Sequence, residues 1–353
     1  MGESLAQSEK FGSVRVDLTG GTIDIFPINY ILPDVTTLNV ALEIGANIKI
    51  KRLESSEIKI ISKDYETSLS FDDWKKIKDQ KNQDSRFRFV SEIIEQVLTD
   101  ISRENSNQNF GMEIELSSGA PAGSGLGGSS AMGVTLMGAV YEAFNETYDP
   151  KDVIKRVQIL ESRQLDKGVP GYQDYYPAMF GGVLALSPGA SEIEVDQCFN
   201  QDLKEFYENH ISLFFSNKSR FSGINNWEVY KNFFDNDSGT REGLEDIARL
   251  STENYKAIQN KDFKKSLKLI VEEGLVREKL FSKIVTPEIA EVAKLCSEKF
   301  SDQYYGMKMC GAGGGGCFIM LHDPSIKAEL HEIVRKSEME ALNFSISHPK
   351  DLS

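Results

Sequence analysis

A glycine-rich loop between a strand-like segment and a strongly apolar helical segment constrains this chain most. The segment GMEIEL at 111–116 alternates apolar and polar residues as a strand does, and AMGVTLMGAVYEAFNE at 131–146 is apolar enough for a buried helix. Between them lies SSGAPAGSGLGGSS at 117–130. Glycine lets backbone N–H groups approach a ligand closely, and the N-terminus of the following helix carries partial positive charge. The order strand, glycine loop, helix therefore predicts an anion-binding loop that holds phosphate groups.

Other interpretations of this loop remain possible from the residues alone. Gly123, Gly125 and Gly128 match the GxGxxG pattern of dinucleotide-binding folds. That fold also needs a second strand after the helix, ending in an acidic residue, whereas the next segment here has a helical pattern. A purely structural glycine turn is a further alternative. A Walker A loop is disfavoured because no GK[ST] sequence follows the glycines.

The length and composition indicate a globular protein of two domains. A chain of 353 residues exceeds the size at which one hydrophobic core usually stops growing, and its residues are 40% hydrophobic and 27% charged. The net charge of −14 argues against a nucleic-acid or anionic-membrane surface, because such surfaces need clustered Lys and Arg. The four cysteines have neither zinc-site nor disulfide spacing, the N-terminus is polar, and no apolar run could span a bilayer. These features predict a cytoplasmic protein with reduced thiols.

Hydrophobic periodicity predicts a change of character midway along the chain. In the first half it predicts strands at 14–18, 38–53, 57–62, 111–116 and 181–187, and helices at about 86–102, 131–146 and 149–165. In the second half it predicts amphipathic helices near 226–236, 241–259, 262–281 and 287–299. We therefore expect an N-terminal domain at 1–195, which contains the phosphate-binding loop, and a C-terminal domain at 196–353.

Three ordered motifs resemble those of the GHMP kinases, the superfamily of galactokinase, homoserine kinase, mevalonate kinase and phosphomevalonate kinase. PAGSGLGGSSA at 121–131 is similar to the second motif of that family, which opens a helix. RVDLTGGTIDI at 15–25 resembles the first motif, and KMCGAGGGGCFIML at 308–321 resembles the third. The resemblance implies an α+β fold with two domains, an N-terminal domain like the second domain of ribosomal protein S5 and a ferredoxin-like C-terminal domain. It also implies ATP and Mg²⁺ as cofactors.

The resemblance assigns nucleotide and metal ligands to the second and third motifs. The residues expected at the nucleotide are Pro121, Gly123, Ser124, Gly125, Leu126, Gly127, Gly128, Ser129, Ser130, Gly311, Gly313 and Gly314. The metal is expected at Ser129 and Glu161. Ser130 is the alternative to Ser129, because Gly128 is an additional residue relative to the usual motif.

The acceptor side of the site is implied by a fourth segment, GYQDYYPAMFGG at 171–182, which is similar to a stretch of the sugar kinases. Asp174 then takes the role of the carboxylate that orients or deprotonates the acceptor hydroxyl, and Arg15 is the cation that keeps it ionised. Asp24, Gly171 and Asp174 are expected to bind the substrate. Trp74 and Trp227 are assigned to packing rather than to a site.

Together these motifs favour phosphorylation of a sugar or sugar phosphate, at the anomeric hydroxyl, as in the heptose 7-phosphate kinases and fucokinase-like enzymes. Galactose is disfavoured because GGTID lacks the glutamate and histidine of the galactokinase motif GEHTD. Alternatives are a kinase of a non-sugar alcohol such as mevalonate, a nucleotide-dependent oxidoreductase, and a family member that binds ligands without catalysis. We expect a monomer or homodimer that binds neither nucleic acid nor membranes. Conceivable cations for a phosphorylated acceptor, none of them assigned, are Arg163, Lys167, Lys218 and Arg220.

Overall fold

Helices and strands both occur throughout the computed structural model, which describes residues 7–80, 84–104, 108–164, 169–218 and 226–351. The strands in these residues are β1 (Gln7–Thr19), β2 (Thr37–Arg52), β3 (Ile58–Ser62), β4 (Thr67–Phe71), β5 (Met112–Ser118), β6 (Val183–Pro188), β7 (Ile193–Gln197), β8 (Ile211–Phe215), β9 (Tyr304–Met309), β10 (Cys317–His322) and β11 (Glu340–Leu342). The α-helices are α1 (Ile28–Ile31), α2 (Ile77–Gln80), α3 (Arg88–Glu104), α4 (Gly128–Ala143), α5 (Pro150–Gln164), α6 (Tyr176–Phe180), α7 (Gln201–His210), α8 (Asn226–Phe234), α9 (Ser238–Gln259), α10 (Phe263–Leu280), α11 (Pro287–Phe300) and α12 (Lys327–Lys336).

The first of two compact units contains Met1–Ser13, Gly45–Ala120 and Gly128–Asp166. Within it the strand order is β4-β3-β5-β2, with β3 and β5 parallel and the other pairs antiparallel. Ile60, Ile114 and Ile50 lie side by side on β3, β5 and β2, and all three are buried. Such cross-strand pairs of β-branched residues stabilise a sheet and fix its register.

Helices α3, α4 and α5 pack against one another in this unit. Helix α4 is apolar on all sides, and twelve of its sixteen residues are buried, as expected for a helix without a polar face. A Cβ atom on Gly133 would lie 2.6 Å from Val157 of α5 and 2.9 Å from Phe89 of α3, so this glycine permits a close approach of the three helices. This packing brings the first turn of α4 beside the last turns of α5.

The second unit contains Val14–Ile44, Pro121–Gly127 and Lys167–Ser353. It holds the first half of β2, which pairs with β6, and a separate antiparallel sheet with the strand order β11-β8-β10-β9. Residues of this sheet and of helices α9, α11 and α12 form one large apolar cluster, which includes Phe214, Phe318, Ile247, Val292 and Leu330.

The last described segment of the second unit returns to its beginning. Leu42 of β2 forms an isolated antiparallel bridge with Ile346. The backbone N–H of Ser347 donates to the Ala41 carbonyl over 2.9 Å, and the N–H of Glu43 donates to the Ser345 carbonyl over 2.8 Å. Backbone pairs about 300 residues apart therefore complete this part of the fold.

The structure confirms an α+β protein with two compact units, and it confirms the helices predicted from periodicity. The second strand of a dinucleotide-binding fold is not found in the described part after α4, because α5 follows. Strand β4 was not predicted, since its sequence TSLSF lies in a polar stretch. The two units are interleaved along the chain, and the predicted domain division at 195/196 stays a prediction.

No helix in the described residues is both long and apolar enough to cross a membrane.

Candidate active site

The predicted phosphate-binding loop is held through its carbonyl oxygens. The backbone N–H of Arg15 donates to the Leu126 carbonyl over 3.0 Å, and the first residue of β10 donates to the Ser124 carbonyl over 2.7 Å. The Arg15 guanidinium donates to the Gly125 carbonyl over 2.6 Å. In a trans peptide the C=O and the following N–H point in opposite directions. The N–H groups of Gly125, Leu126 and Gly127 therefore face away from these anchors, as an anion-binding loop requires.

The third motif packs directly against this loop. A Cβ atom on Gly311 would lie 2.6 Å from the Gly125 carbonyl oxygen, and one on Gly316 would lie 2.7 Å from that of Ser124. The two glycine segments thus meet backbone to backbone, with no space for side chains. Gly313 and Gly314, also predicted at the nucleotide, instead lie against Ile284, whose carbonyl accepts from the Gly314 N–H over 2.8 Å.

Asp174 lies at the end of a short 3-10 helix, Tyr172–Asp174, and forms an ion pair with Arg15. Arg15 Nε and Nη2 both donate to Asp174 Oδ1, over 2.8 and 2.5 Å, so Arg15 does not use Oδ2. Burial lowers the pKa of Arg15, but the negative charges of Asp174 and Asp17 outweigh it and raise that pKa. Gly127 has a φ of 77°, and its Cβ would lie 3.2 Å from Asp174, so the carboxylate lies directly beside the loop.

Asp24 packs against the same segment of chain as Asp174. Its Oδ2 accepts from the Gln173 N–H over 3.2 Å, and its carbonyl accepts from the Tyr172 N–H over 3.2 Å. A Cβ on Gly171 would come within 2.0 Å of Asp24 Oδ2, so only glycine allows this approach. Burial, reinforced by the charge of Asp174, raises the pKa of Asp24 to about 7. The second unit thus brings together the predicted substrate and catalytic residues.

A buried charge network beside β1 was not predicted. Asp17 Oδ2 lies 2.9 Å from Lys308 Nζ and 3.2 Å from Arg277 Nη1, and Lys308 lies 3.4 Å from Glu273. Arg277 also donates to the Gly311 carbonyl. Burial raises the pKa of Asp17, but the cations Lys308 and Arg277 exceed this effect and lower it. The network joins the strand of the first motif to the glycine loop of the third.

The sequence contains a weak signal for this network. Two charged residues two positions apart in β1, Arg15 and Asp17, share one strand face within an otherwise apolar segment. Glu273 and Arg277, four positions apart, share one face of α10. Neither pattern shows which residues the charged side chains pair with, because both patterns are also common on exposed surfaces.

Ser130 and Glu161 meet in the first unit. Ser130 Oγ donates to Glu161 Oε2 over 2.8 Å, and both residues are buried, whereas Ser129 is exposed. A hydroxyl and a carboxylate are the oxygen ligands that Mg²⁺ prefers, and it usually takes few protein ligands beside substrate phosphates. Among the described residues, no group of three or more His, Cys, Asp or Glu side chains could hold a metal without such help.

Two of the four conceivable phosphate-binding cations lie in the described residues. Lys218 forms an exposed ion pair with Glu288 at 2.5 Å, and Arg163 is exposed on α5 of the first unit. Lys167 and Arg220 lie outside the described residues.

Two family models match the chain. Residues 89–182 match the GHMP kinases N terminal domain and residues 254–340 match the GHMP kinases C terminal domain, together about half of the 353 residues. The dinucleotide-binding interpretation of the loop therefore finds no support. Kinases of this family use ATP.

Two curated relatives and one solved structure extend the similarity to nearly the whole chain. An L-fucokinase/L-fucose-1-P guanylyltransferase from Bacteroides fragilis is 24% identical over 92% of this chain, which spans only 35% of that longer protein. A D-glycero-alpha-D-manno-heptose 7-phosphate kinase from Campylobacter jejuni is 24% identical over 95% of both chains. The mevalonate kinase of Methanococcus jannaschii has a similar fold, with a TM-score of 0.76, 20% identity, and coverage of 97% of this chain and 99% of that one. The three glycine motifs, the fold and the two matched domains lead to one conclusion: the chain belongs to the GHMP kinase family.

Proposed function

We propose that this protein transfers the terminal phosphoryl group of ATP to a hydroxyl group of a sugar or sugar phosphate. The observation that carries this proposal is the position of Asp174. Arg15 fixes its Oδ1, Oδ2 is left out of that contact, and Gly127 of the phosphate-binding loop lies against it. A carboxylate beside a phosphate-binding loop is what alignment of an acceptor hydroxyl with the terminal phosphate requires.

In this reaction the acceptor oxygen attacks the terminal phosphorus. The bond from that phosphorus to the bridging oxygen breaks, and ADP leaves with the bonding electrons. Asp174 Oδ2 orients the acceptor hydroxyl and takes its proton as charge develops. Arg15 holds the carboxylate in place by charge-assisted hydrogen bonds.

The second motif would bind the phosphates of ATP. The N–H groups of Gly125, Leu126 and Gly127 point away from the loop's anchors, and α4 begins at the next residue, Gly128. Backbone N–H donors of this kind form a favourable site for anionic oxygens.

Mg²⁺ would be held by Ser130 and Glu161. The sequence analysis favoured Ser129 with Glu161 and kept Ser130 as the alternative to Ser129. The support for Ser130 over Ser129 is its hydrogen bond with Glu161 and its burial. When bound, Mg²⁺ neutralises charge on the transferred phosphate. The two side chains would contribute oxygen ligands, and the hydrogen bond between them supports this pairing.

A sugar acceptor is supported by the chemistry of the relatives and by Asp24. The Bacteroides fragilis relative combines an L-fucokinase with an L-fucose-1-P guanylyltransferase, and this combination supports transfer to an anomeric hydroxyl. A buried carboxylate such as Asp24 is suited to accept hydrogen bonds from the hydroxyls of a polyol. The cytoplasmic location, the requirement for Mg²⁺, the monomeric or dimeric state and the absence of nucleic-acid and membrane partners stay predictions.

The test is ADP release with Mg·ATP across heptose 7-phosphates, L-fucose, galactose, glucuronate, N-acetylhexosamines, mevalonate and homoserine. We expect turnover of a sugar, reduced about 10²–10⁴-fold by Asp174→Asn, because general-base groups contribute about that much. Asp235→Asn, an exposed aspartate of the same unit, is the matched control and should leave the rate unchanged. Full activity of the Asp174→Asn protein, or turnover of mevalonate alone, would contradict the proposal.

A further inference from the structure

Helix α8 is hydrogen-bonded to the chain segments that carry Asp24 and Gly171. Asn226 Nδ2 donates to the carbonyl of Val169, two residues before Gly171, over 3.2 Å. The Tyr230 hydroxyl donates to the carbonyl of Phe26, two residues after Asp24, over 2.8 Å. One helix turn therefore connects the two chain segments that supply the candidate acceptor carboxylates.

Two large aromatic side chains are exposed at this place. Phe26 is 61% exposed and Trp227 is 57% exposed. Both adjoin Tyr230: its hydroxyl bonds to the backbone of Phe26, and its ring meets that of Trp227 edge to face, with centroids 5.8 Å apart. Tyr230 itself is only 8% exposed. Single exposed apolar residues are common, but exposed aromatics on a shared support beside polar ligand groups are typical of binding sites.

The electrostatic environment of Tyr230 agrees with this placement. Burial raises the pKa of its hydroxyl to about 12, and the charge of Asp24 contributes to that rise. The negative charge of Asp24 therefore acts on the Tyr230 hydroxyl, and the Tyr230 ring contacts Trp227. The buried carboxylate, the buried tyrosine and the exposed rings all belong to the second unit.

We propose that Phe26 and Trp227, the aromatic platform, stack against the C–H face of the acceptor sugar and determine which sugars are accepted. This inference rests on the proposed sugar kinase function and adds the acceptor-binding residues to it. A pyranose has hydroxyl edges and faces rich in C–H groups. Carboxylates such as Asp24 and Asp174 bind the edges, whereas flat aromatic rings bind a C–H face and contribute large apolar contact area.

The platform makes a specific prediction about acceptor classes. Stacking involves the sugar ring and not a charged substituent, so a neutral sugar and a sugar phosphate should depend on it equally. An open-chain alcohol without a ring face should not depend on it. The platform therefore favours cyclic acceptors over open-chain ones.

A second copy of the chain is the competing occupant of these exposed rings, and α8 offers a matched control. Phe234 is 52% exposed and lies on the same helix seven residues after Trp227, which places it about 10 Å further along the axis. A protein partner covering this helix face would contact both side chains. A monosaccharide held by Asp24 would contact Trp227 and not Phe234.

The experiment compares Phe26→Ala, Trp227→Ala and Phe234→Ala in steady-state kinetics with L-fucose and with a heptose 7-phosphate as acceptors. We expect the acceptor KM to rise about three- to tenfold in the first two variants, the usual range for loss of an aromatic stacking contact. The ATP KM should not change, Phe234→Ala should behave as the unmodified protein, and Trp227→Phe should restore most of the loss.

Binding can also be measured without turnover. The chain has two tryptophans, so a Trp74→Phe background leaves Trp227 as the only one. Its fluorescence should change on titration with the same two sugars in the absence of ATP. Equal thermal midpoints for all variants would show that the alanine proteins are folded.

Unchanged acceptor KM values in both alanine variants, with sugar turnover intact, would overturn the platform and leave the proposed function standing. Equal effects of Trp227→Ala and Phe234→Ala, together with a change in oligomeric state on gel filtration, would assign the surface to a second copy. If the unmodified protein neither turned over nor bound any sugar, both proposals would be overturned.

Discussion

Replacing Asp24 by asparagine should stabilise the protein at neutral and alkaline pH, even though Asp24 is a candidate substrate ligand. The asparagine side chain has nearly the same shape and keeps an oxygen that can accept from the Gln173 N–H. It carries no charge, so the cost of burying an ionised carboxylate beside Asp174 disappears. The effect should depend on pH, because Asp24 has a raised pKa.

The magnitude follows from the pKa of Asp24, which is about 7 in the folded protein against the ordinary 3.8. A carboxyl group with a raised pKa contributes its full stability below pH 4 and loses it as the pH rises to about 7, since the folded state then resists ionisation. At 1.36 kcal/mol per pKa unit the full difference is about 4 kcal/mol. Between pH 5 and pH 8 the expected part is about 2.5 kcal/mol.

The assay is urea-induced unfolding followed by circular dichroism at several pH values between 5 and 8. The free energy of unfolding of Asp24→Asn minus that of the unmodified protein should increase over this range. Asp235→Asn, which removes an exposed carboxylate, is the control and should show no comparable trend. A difference that stays constant within about 1 kcal/mol from pH 5 to pH 8 would refute the reasoning, because the burial of Asp24 would then not disfavour its charge.

Two further predictions concern the second motif. Gly127→Ala should lower the thermal midpoint by several degrees, because position 127 has a φ of 77° and its Cβ would lie 3.2 Å from Asp174, whereas Gly128→Ala, with nothing within 4 Å, should not. Differential scanning fluorimetry of the two proteins measures this, and equal midpoints would contradict it. Ser130→Ala should raise the Mg²⁺ concentration needed for half-maximal activity by about tenfold, while Ser129→Ala should have a smaller effect, which titration of the initial rate with Mg²⁺ measures. A larger effect at Ser129 would return the metal to the serine first chosen from the sequence.

The parts of the site that depend on short-range pattern could be predicted from the sequence. The strand, glycine loop and helix around Gly125 were found from periodicity and composition. Their function as a phosphate-binding loop also depended on the resemblance of three motifs. The pairing of Arg15 with Asp174 was expected from that resemblance, and the structure shows the two side chains in contact.

Other parts depend on long-range packing and could not be predicted. Both faces of β1 are buried from Val14 to Thr19, so the usual alternation of polar and apolar residues does not indicate where Asp17 points. Its partner Lys308 is 291 positions away in the sequence. The exposure of Trp227 could not be predicted from the sequence either, because an aromatic residue in an amphipathic helix usually faces the core.

The return of the chain to β2 has a consequence for protein synthesis. Leu42 leaves the ribosome about 300 residues before its partner Ile346, which at 5–20 residues per second is roughly 15–60 s. During that interval the backbone groups of Ala41 and Glu43 cannot form their final hydrogen bonds, and they present a free strand edge to other nascent chains. A truncation before Ser345 makes this exposure permanent. The last strand-like residues of the chain are therefore expected to protect against aggregation as well as to complete the fold.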